Sequence, residues 1–350
     1  LIAISAEPVR DWDGLGTRWR ALEALVPASF FQSWTWIGCL AAERYPDPWL
    51  IEARNGAGTI GLALFNRRGH RLVLHDSGDP VLDCPYIEHN GVLGGPAAPM
   101  LQSALAGWMP RRLVLHGVDD ATLAAVRVAA PLVRVVQSQD APFVDLSRDF
   151  LTGRSANTRQ QLRRSDRAYG TPTVHRAETN AEAFRLLDEL GAFHQQTWTA
   201  RGKPGAFARP FFGRFHRALI ERGLKRGEVD LLRVSAGDAV VGVLYNFRFR
   251  GQMLAYQSGF NYPNAGTGDP RKPGLTCHHA AIRLAVAAGL ERYDFLAGEA
   301  RYKRSLSDGA AALHWIEAGS RSDIKLASRI VFSAVRKRSV LRLRQPGVRA

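Results

Sequence analysis

Apolar positions recur with two periods along this chain, and each change of period marks an element. Spacings of three and four predict helices over residues 11–25 and 33–44, with Trp12, Trp19, Leu22, Trp36, Ile37 and Leu40 on their inner faces. A short strand over 1–5 precedes them. Alternation then predicts strands over 49–54, 59–66 and 71–76, turning at Gly56-Ala57-Gly58 and Arg68-Gly69-His70 as an antiparallel meander. Ser77-Gly78 opens a long loop through Asp79, Asp83 and His89 to Gly95-Pro96. A helix over 98–108, a strand over 112–118, a helix over 120–130 and strands over 132–138 and 142–146 complete this half.

The second half repeats the order. A strand over 172–178 leads to helices over 180–200 and 210–225, and then to strands over 229–235, 239–249 and Met253–Phe260. Ser258-Gly259 opens a second long loop, followed by a helix over 275–288 that Gly289 stops and a strand over 293–296. So long a repeated order points to internal duplication. The expected class is α/β with a mixed sheet, in two tandem domains over 1–147 and 148–322. Residues 323–335 pattern as an amphipathic helix that runs into a basic tail, making 323–350 a third unit.

Composition adds limits. The 350 residues are 46% hydrophobic with eight Trp, enough for two buried cores, and no run of 18 apolar residues suggests a membrane span. The first twelve residues lack the charged start and apolar core of a signal peptide. Three dispersed cysteines (Cys39, Cys84, Cys277) suit a reducing cytoplasm and neither a disulfide framework nor a metal site. The formal charge is +15, but residues 321–350 hold nine basic residues and one acidic, and 154–176 hold six and one. The rest of the chain is nearly neutral, which argues against a general nucleic-acid coat and against DNA as a partner.

Three stretches carry candidate chemistry. The loop Arg271-Lys272-Pro273-Gly274-Leu275-Thr276 delivers a helix N-terminus, where free amides and the helix dipole attract phosphate. On the predicted helix 155–170, Arg159, Arg163 and Arg167 form a one-sided row that calls equally for an anion or for facing carboxylates. After strand 293–296 comes the polar turn Gly298-Glu299-Ala300-Arg301-Tyr302-Lys303, either a catalytic group or an ion-pair cluster closing the domain. His194 and Trp198 lie one helical turn apart and share either a core or a pocket. The basic tail could pack on the protein itself, rest on an anionic membrane surface, or hold RNA.

YDFLAGEARYKRSL, preceded by KPGL at a helix start, resembles the CelD/BioF-like acetyltransferase-domain family of the GNAT superfamily, related to the Fem aminoacyl-tRNA-dependent transferases. The likeness extends through Ser155–Gly170 and His194–Phe212 and weakly to FFQSWTW at 30–36. It implies tandem GNAT domains and an N-acyltransferase, with acyl-CoA as donor and an amine-bearing small molecule, sugar or envelope precursor as acceptor. Transfer from tRNA is the second choice it offers, and a silent membrane-associated scaffold is an alternative of another class. By the same resemblance Arg271, Lys272, Gly274, Leu275 and Thr276 would hold the donor's pyrophosphate, with Thr276 standing where the family motif has Gly or Ala. Glu299 would take the amine proton, Tyr302 would donate to the leaving group, and Lys303 would stabilise the oxyanion or bind a donor phosphate. Arg159, Arg163, His194, Trp198, Phe207, Tyr256 and His278 would contact substrate. The first half would shape the acceptor site.

Overall fold

The computed structural model describes residues 1–79, 86–106, 112–262, 268–298 and 300–332. Its first half runs β1 (Ala3–Pro8), α1 (Trp12–Leu25), α2 (Trp34–Arg44), β2 (Pro48–Asn55), β3 (Gly58–Arg68), β4 (Arg71–Leu74), β5 (Leu93–Gly94), α3 (Ala97–Ala106), β6 (Arg112–Val118), α4 (Asp120–Ala129) and β7 (Leu132–Asp145). The second runs α5 (Ala156–Tyr169), β8 (Thr173–Arg176), α6 (Asn180–Ala200), α7 (Pro210–Gly223), β9 (Val229–Ala236), β10 (Ala239–Phe249), β11 (Gln252–Phe260), α8 (Pro273–Ala287), β12 (Arg292–Asp294), α9 (Arg301–Leu306) and β13 (Gly309–Gly319). Helix starts sit where short polar side chains can accept from exposed amides. Asp11, Ser33, Asp119 and Ser155 cap α1, α2, α4 and α5, and Thr179 with Glu182 closes a capping box on α6.

Among the described residues the strands form one mixed sheet in the order β1-β2-β3-β4-β6-β13-β7-β12-β11-β10-β9-β8, with β5 paired to β3. The order is a duplication read outward from its centre. β4 pairs parallel with β6 as β11 does with β12, and every other neighbour is antiparallel. The last strand of each half has crossed over. β13 lies antiparallel to β6 in the first half's sheet, and β7 lies antiparallel to β12 in the second's. The two exchanged strands pair with each other from Leu132↔Gly319 to Phe143↔Gly309.

Three expectations change here. The strands expected over 132–138 and 142–146 are one 14-residue strand, because β13 supplies a continuous partner across Pro142. β13 itself was not anticipated: Ala310, Ala311 and Ala312 have weak strand propensity, and pairing on both sides overrides it. The expected polar turn after β12 winds into the short helix α9 from Arg301 onward.

The sheet has helices on both faces. α1, α2, α6 and α7 share one core that spans both halves, where Phe30 stacks on Phe247 at 4.1 Å and Trp36 meets Phe215 edge-on at 5.0 Å. Trp19, Leu22, Trp36, Ile37 and Leu40 are buried in it, while Trp12 is half-buried at its margin. On the opposite face α3 and α4 cover the first half, and α8 covers the second with α5 packed on it. Residues 324–332 are helical, tied to the sheet by Asp323, which accepts from Arg112 at 2.8 and 2.9 Å. Ile324, Val331 and Phe332 of this segment are exposed. The basic residues from Arg336 onward lie outside the described residues.

Candidate active site

A parallel strand pair that separates leaves a gap in the sheet, and each half of this molecule has one. In the first half β4 and β6 are paired only over Arg71–Val73 and Arg112–Val114. Asn90 fills the gap beyond: its Nδ2 donates to the carbonyls of Leu74 and His116 at 3.2 and 3.1 Å, and its Oδ1 lies 2.9 Å from His75 Nδ1. His116 adds a 2.8 Å contact to Asp76 across the same gap. Gly117 (φ 62°) makes this possible, since a Cβ there would meet the Ile87 carbonyl oxygen at 2.4 Å.

In the second half β11 and β12 pair only over Gln252–Leu254 and Arg292–Asp294, and the gap beyond is open. It leads into a cleft of about 660 Å³. One wall comes from β11 with Tyr256, Gln257, Ser258 and Phe260, and another from α6 with His194, Thr197 and Trp198. Ala297, Gly298, Tyr302 and Lys303 form the floor beside His278 of α8. The remaining side belongs to the other half and to the exchanged strands: Tyr86 and Glu88, Gln137 and Gln139 of β7, and Trp315 of β13.

The floor is a set of interlocked polar groups. Lys303 Nζ donates to the carbonyls of Leu296 and Ala297 at 3.1 and 2.8 Å, and the Ala297 amide donates to Glu88 Oε2 at 2.5 Å. The Leu296 amide donates to Asp294 Oδ1 at 2.7 Å, and His89 Nε2 approaches Asp294 Oδ2 at 3.3 Å. Asp294 is fully buried and Glu88 is 8% exposed. Leu296 (φ 60°) and His89 (φ 48°) both hold left-handed backbone, a strained conformation that packed surroundings must enforce.

Burial sets the protonation states. It raises the Glu88 carboxyl, against the Ala297 amide, Lys303 and His89, while Asp294 adds to the rise. It lowers the Lys303 ammonium, against Glu88 and Asp294. It pushes the Tyr302 hydroxyl up to about 12, so this phenol stays a donor. It pushes His194 down to about 4 and, with help from Lys303, His278 down to about 3. Both imidazoles are therefore neutral and weakly basic.

His278 Nδ1 lies 2.8 Å from the Tyr293 hydroxyl, and its ring stacks on Tyr302 at 5.2 Å. Its Nε2 and the Nδ1 of His194 are buried with no hydrogen-bond partner among the described residues. Phe207 lies behind the wall, against the His194 ring at 5.2 Å.

The cleft thus gathers six of the expected residues: His194, Trp198, Tyr256, His278, Tyr302 and Lys303. Glu299 lies outside the described residues. The expected phosphate loop does not line the cleft. Arg271 is ion-paired to Asp269 at 2.7 Å, and the start of α8 is met by α5. Ser165 Oγ accepts from the Lys272 amide at 2.8 Å and sits 2.8 Å from Thr276 Oγ1, which donates to Asp166 Oδ1 at 3.0 Å. Asp166 Oδ2 is 2.8 Å from His279 Nδ1. Gly274 packs against the Phe260 ring, and Leu275 against the core under α8. On α5, Arg163 and Arg167 are exposed, with no carboxylate in ion-pair range among the described residues, whereas Arg159 is half-buried and bonded to the Arg154 carbonyl.

Sequence reasoning missed Glu88. Its signal was faint: an Ile87-Glu88-His89-Asn90 run inside a long loop, indistinguishable from a solvated turn until the other half is brought against it. Among the described residues no group of three His, Cys, Asp or Glu could hold a metal, and no helix is long and apolar enough to cross a membrane.

Residues 153–304 match the family model described as an acetyltransferase (GNAT) domain, so the second half carries a GNAT-type acyltransferase domain. No curated protein matches the chain. Among solved structures it is similar in fold to FemX, at 9% identity over 89% of this chain and 96% of that one, with a TM-score of 0.58. L-PGS from Bacillus licheniformis matches at 12% identity over 90% and 95%, with a TM-score of 0.56. The C-terminal DUF2156 domain of an Agrobacterium fabrum protein matches at 11% over 93% and 96%, again with a TM-score of 0.56.

Proposed function

We propose that this acyltransferase moves an aminoacyl group from the 3′ end of a tRNA to an amine acceptor in the cleft between its halves. The observation that carries the donor choice is the start of α8. A coenzyme A pyrophosphate would need the positive end of that helix and its first amides. Ser165 and Asp166 already engage that end, and a carboxylate there repels phosphate. Pro273 contributes no N–H. The exposed guanidiniums of Arg163, Arg164 and Arg167 suit a phosphodiester backbone instead.

In this reading Lys303 stabilises the oxyanion as the ester carbonyl is attacked, and the Tyr302 hydroxyl donates to the departing ribose oxygen. The neutral His194 and His278 accept from or donate to the substrates without taking the proton away. Trp198 and Tyr256 offer the acceptor apolar faces, and an amine on a sugar or envelope precursor fits their mixture with Gln137, Gln139 and Gln257. An anionic membrane surface for the tail, which lies outside the described residues, belongs to the same reading.

An acyl-CoA donor is the second reading, favoured by the acetyltransferase description of the model matched by residues 153–304. Arg271, Lys272, Gly274, Leu275 and Thr276 would then hold the pyrophosphate once Asp166 had turned away. The two donors separate in one experiment. Under the tRNA reading, gel shifts give binding that weakens steeply with salt and falls in Arg163→Ala/Arg167→Ala, the salt slope shrinking by about one per lost phosphate contact. Calorimetric binding of CoA that disappears in Arg271→Ala/Lys272→Ala, with no tRNA shift, would reverse the choice.

A further inference from the structure

We infer that Glu88, from the first half, is the general base of the transfer that the second half carries out. The inference rests on the amine-acylation reading above, and it holds for either donor. Glu88 lines the cleft beside Lys303, and one of its oxygens is fixed by the Ala297 amide at 2.5 Å. The segment that carries it is held from both sides. Asn90, two residues on, is bonded into the first half's sheet, and His89 reaches Asp294 under the cleft floor. A base must be aimed before it can be effective, and this one has its backbone anchored at the next residues and its carboxylate anchored directly.

Base strength points to the same group. The charged and titratable groups facing Glu88 are Lys303 from α9, His89 from its own segment and Asp294 from β12. Burial outweighs the two cations and raises the carboxyl, whereas burial lowers both cleft imidazoles far below neutrality. Of these three candidate bases only Glu88 has been made stronger than its free form.

The step balances as follows. The free carboxylate oxygen of Glu88 takes one proton from the ammonium form of the acceptor, and the neutral nitrogen then attacks the ester carbonyl carbon, forming the C–N bond. The C–O bond to the ribose then breaks, the ribose oxygen leaves with the second proton shed by the attacking nitrogen, relayed through the Tyr302 hydroxyl, and Glu88 gives its proton to solvent. With a thioester the broken bond is C–S and the leaving group is the thiol.

The test compares two surrogate acceptors, methylamine and hydroxylamine, with total aminoacyl-tRNA or acetyl-CoA as donor. Methylamine is protonated at neutral pH and must lose a proton to react; hydroxylamine is already neutral. Glu88→Gln should lose about 100- to 10,000-fold with methylamine, recovering as pH rises, and only a few-fold with hydroxylamine, with donor binding intact. Formate added to Glu88→Ala should restore part of the methylamine rate. Equal losses with both acceptors would make Glu88 a structural prop for Ala297 and overturn the inference. So would a wild-type rate in Glu88→Gln beside a large selective loss in Glu299→Gln. Wild-type protein inert toward both donors would overturn the transferase reading itself, and this inference with it.

Discussion

The two halves share one strand order and differ in what they do with the gap between their parallel strands. In the first half Asn90 ties both edges of the gap together, and His116 and Asp76 lock it further. In the second the corresponding gap opens onto the cleft, with Tyr302, Lys303 and His278 around it. One copy of the duplication thus has its gap closed, and the other opens onto the cleft proposed as the reaction chamber. The closed copy is not passive. The segment that closes its own gap also delivers Glu88 and His89 to the other half, and the exchanged strands β7 and β13 contribute Gln137, Gln139 and Trp315 to the cleft wall.

The comparison can be broken at Asn90. Asn90→Ala removes the donor from the buried carbonyl of Leu74 and from the part-buried carbonyl of His116, and a buried group left unpaired costs about 1–3 kcal/mol. The melting temperature should fall clearly, and turnover should fall with it because Glu88 loses its anchor. A variant as stable as wild type would show that Asn90 does not close the first half.

A smaller effect sharpens the contrast between a carboxylate kept for stability and one kept for chemistry. Burial raises the Glu88 carboxyl above its ordinary 4.5, so the fold favours its protonated form. The stability this group contributes is complete below the ordinary value and is lost as pH rises through the raised one. Glu88→Gln keeps a neutral side chain of the same shape, so its melting temperature should gain on wild type as pH goes from acid to neutral. A gap that stays constant or narrows with rising pH would mean that Glu88 is held ionised by its neighbours instead.

Much of this was legible in the residues, and the exceptions have physical causes. The mixed α/β class and the duplication followed from period changes and turn residues, which are local signals. The crossing of β7 and β13 was invisible because nothing local distinguishes a strand that pairs within its half from one that pairs outside it. Alanines in β13 weakened its signal further. Tyr302 and Lys303, neighbours in sequence, and His194 and Trp198, on one helical face, line one cleft, as local spacing allows. Glu88 was missed because its role depends on a contact with Ala297, 209 residues away. The phosphate-loop pattern before α8 is local, whereas Ser165 and Asp166 reach that loop from α5, which only the folded chain shows.

The central claim is that residues from both halves make one reaction centre, and a double-mutant cycle on Glu88→Gln and Lys303→Met tests it most directly. The readout is kcat/KM for acyl transfer to methylamine from whichever donor the wild type uses. Groups that act in one step lose little more together than the worse of the two alone. The expected result is therefore a double variant within a few-fold of the slower single variant, each single being slowed mainly in kcat. Losses that multiply, so that the double variant is slower by the product of the singles, would mean independent sites and would contradict the account.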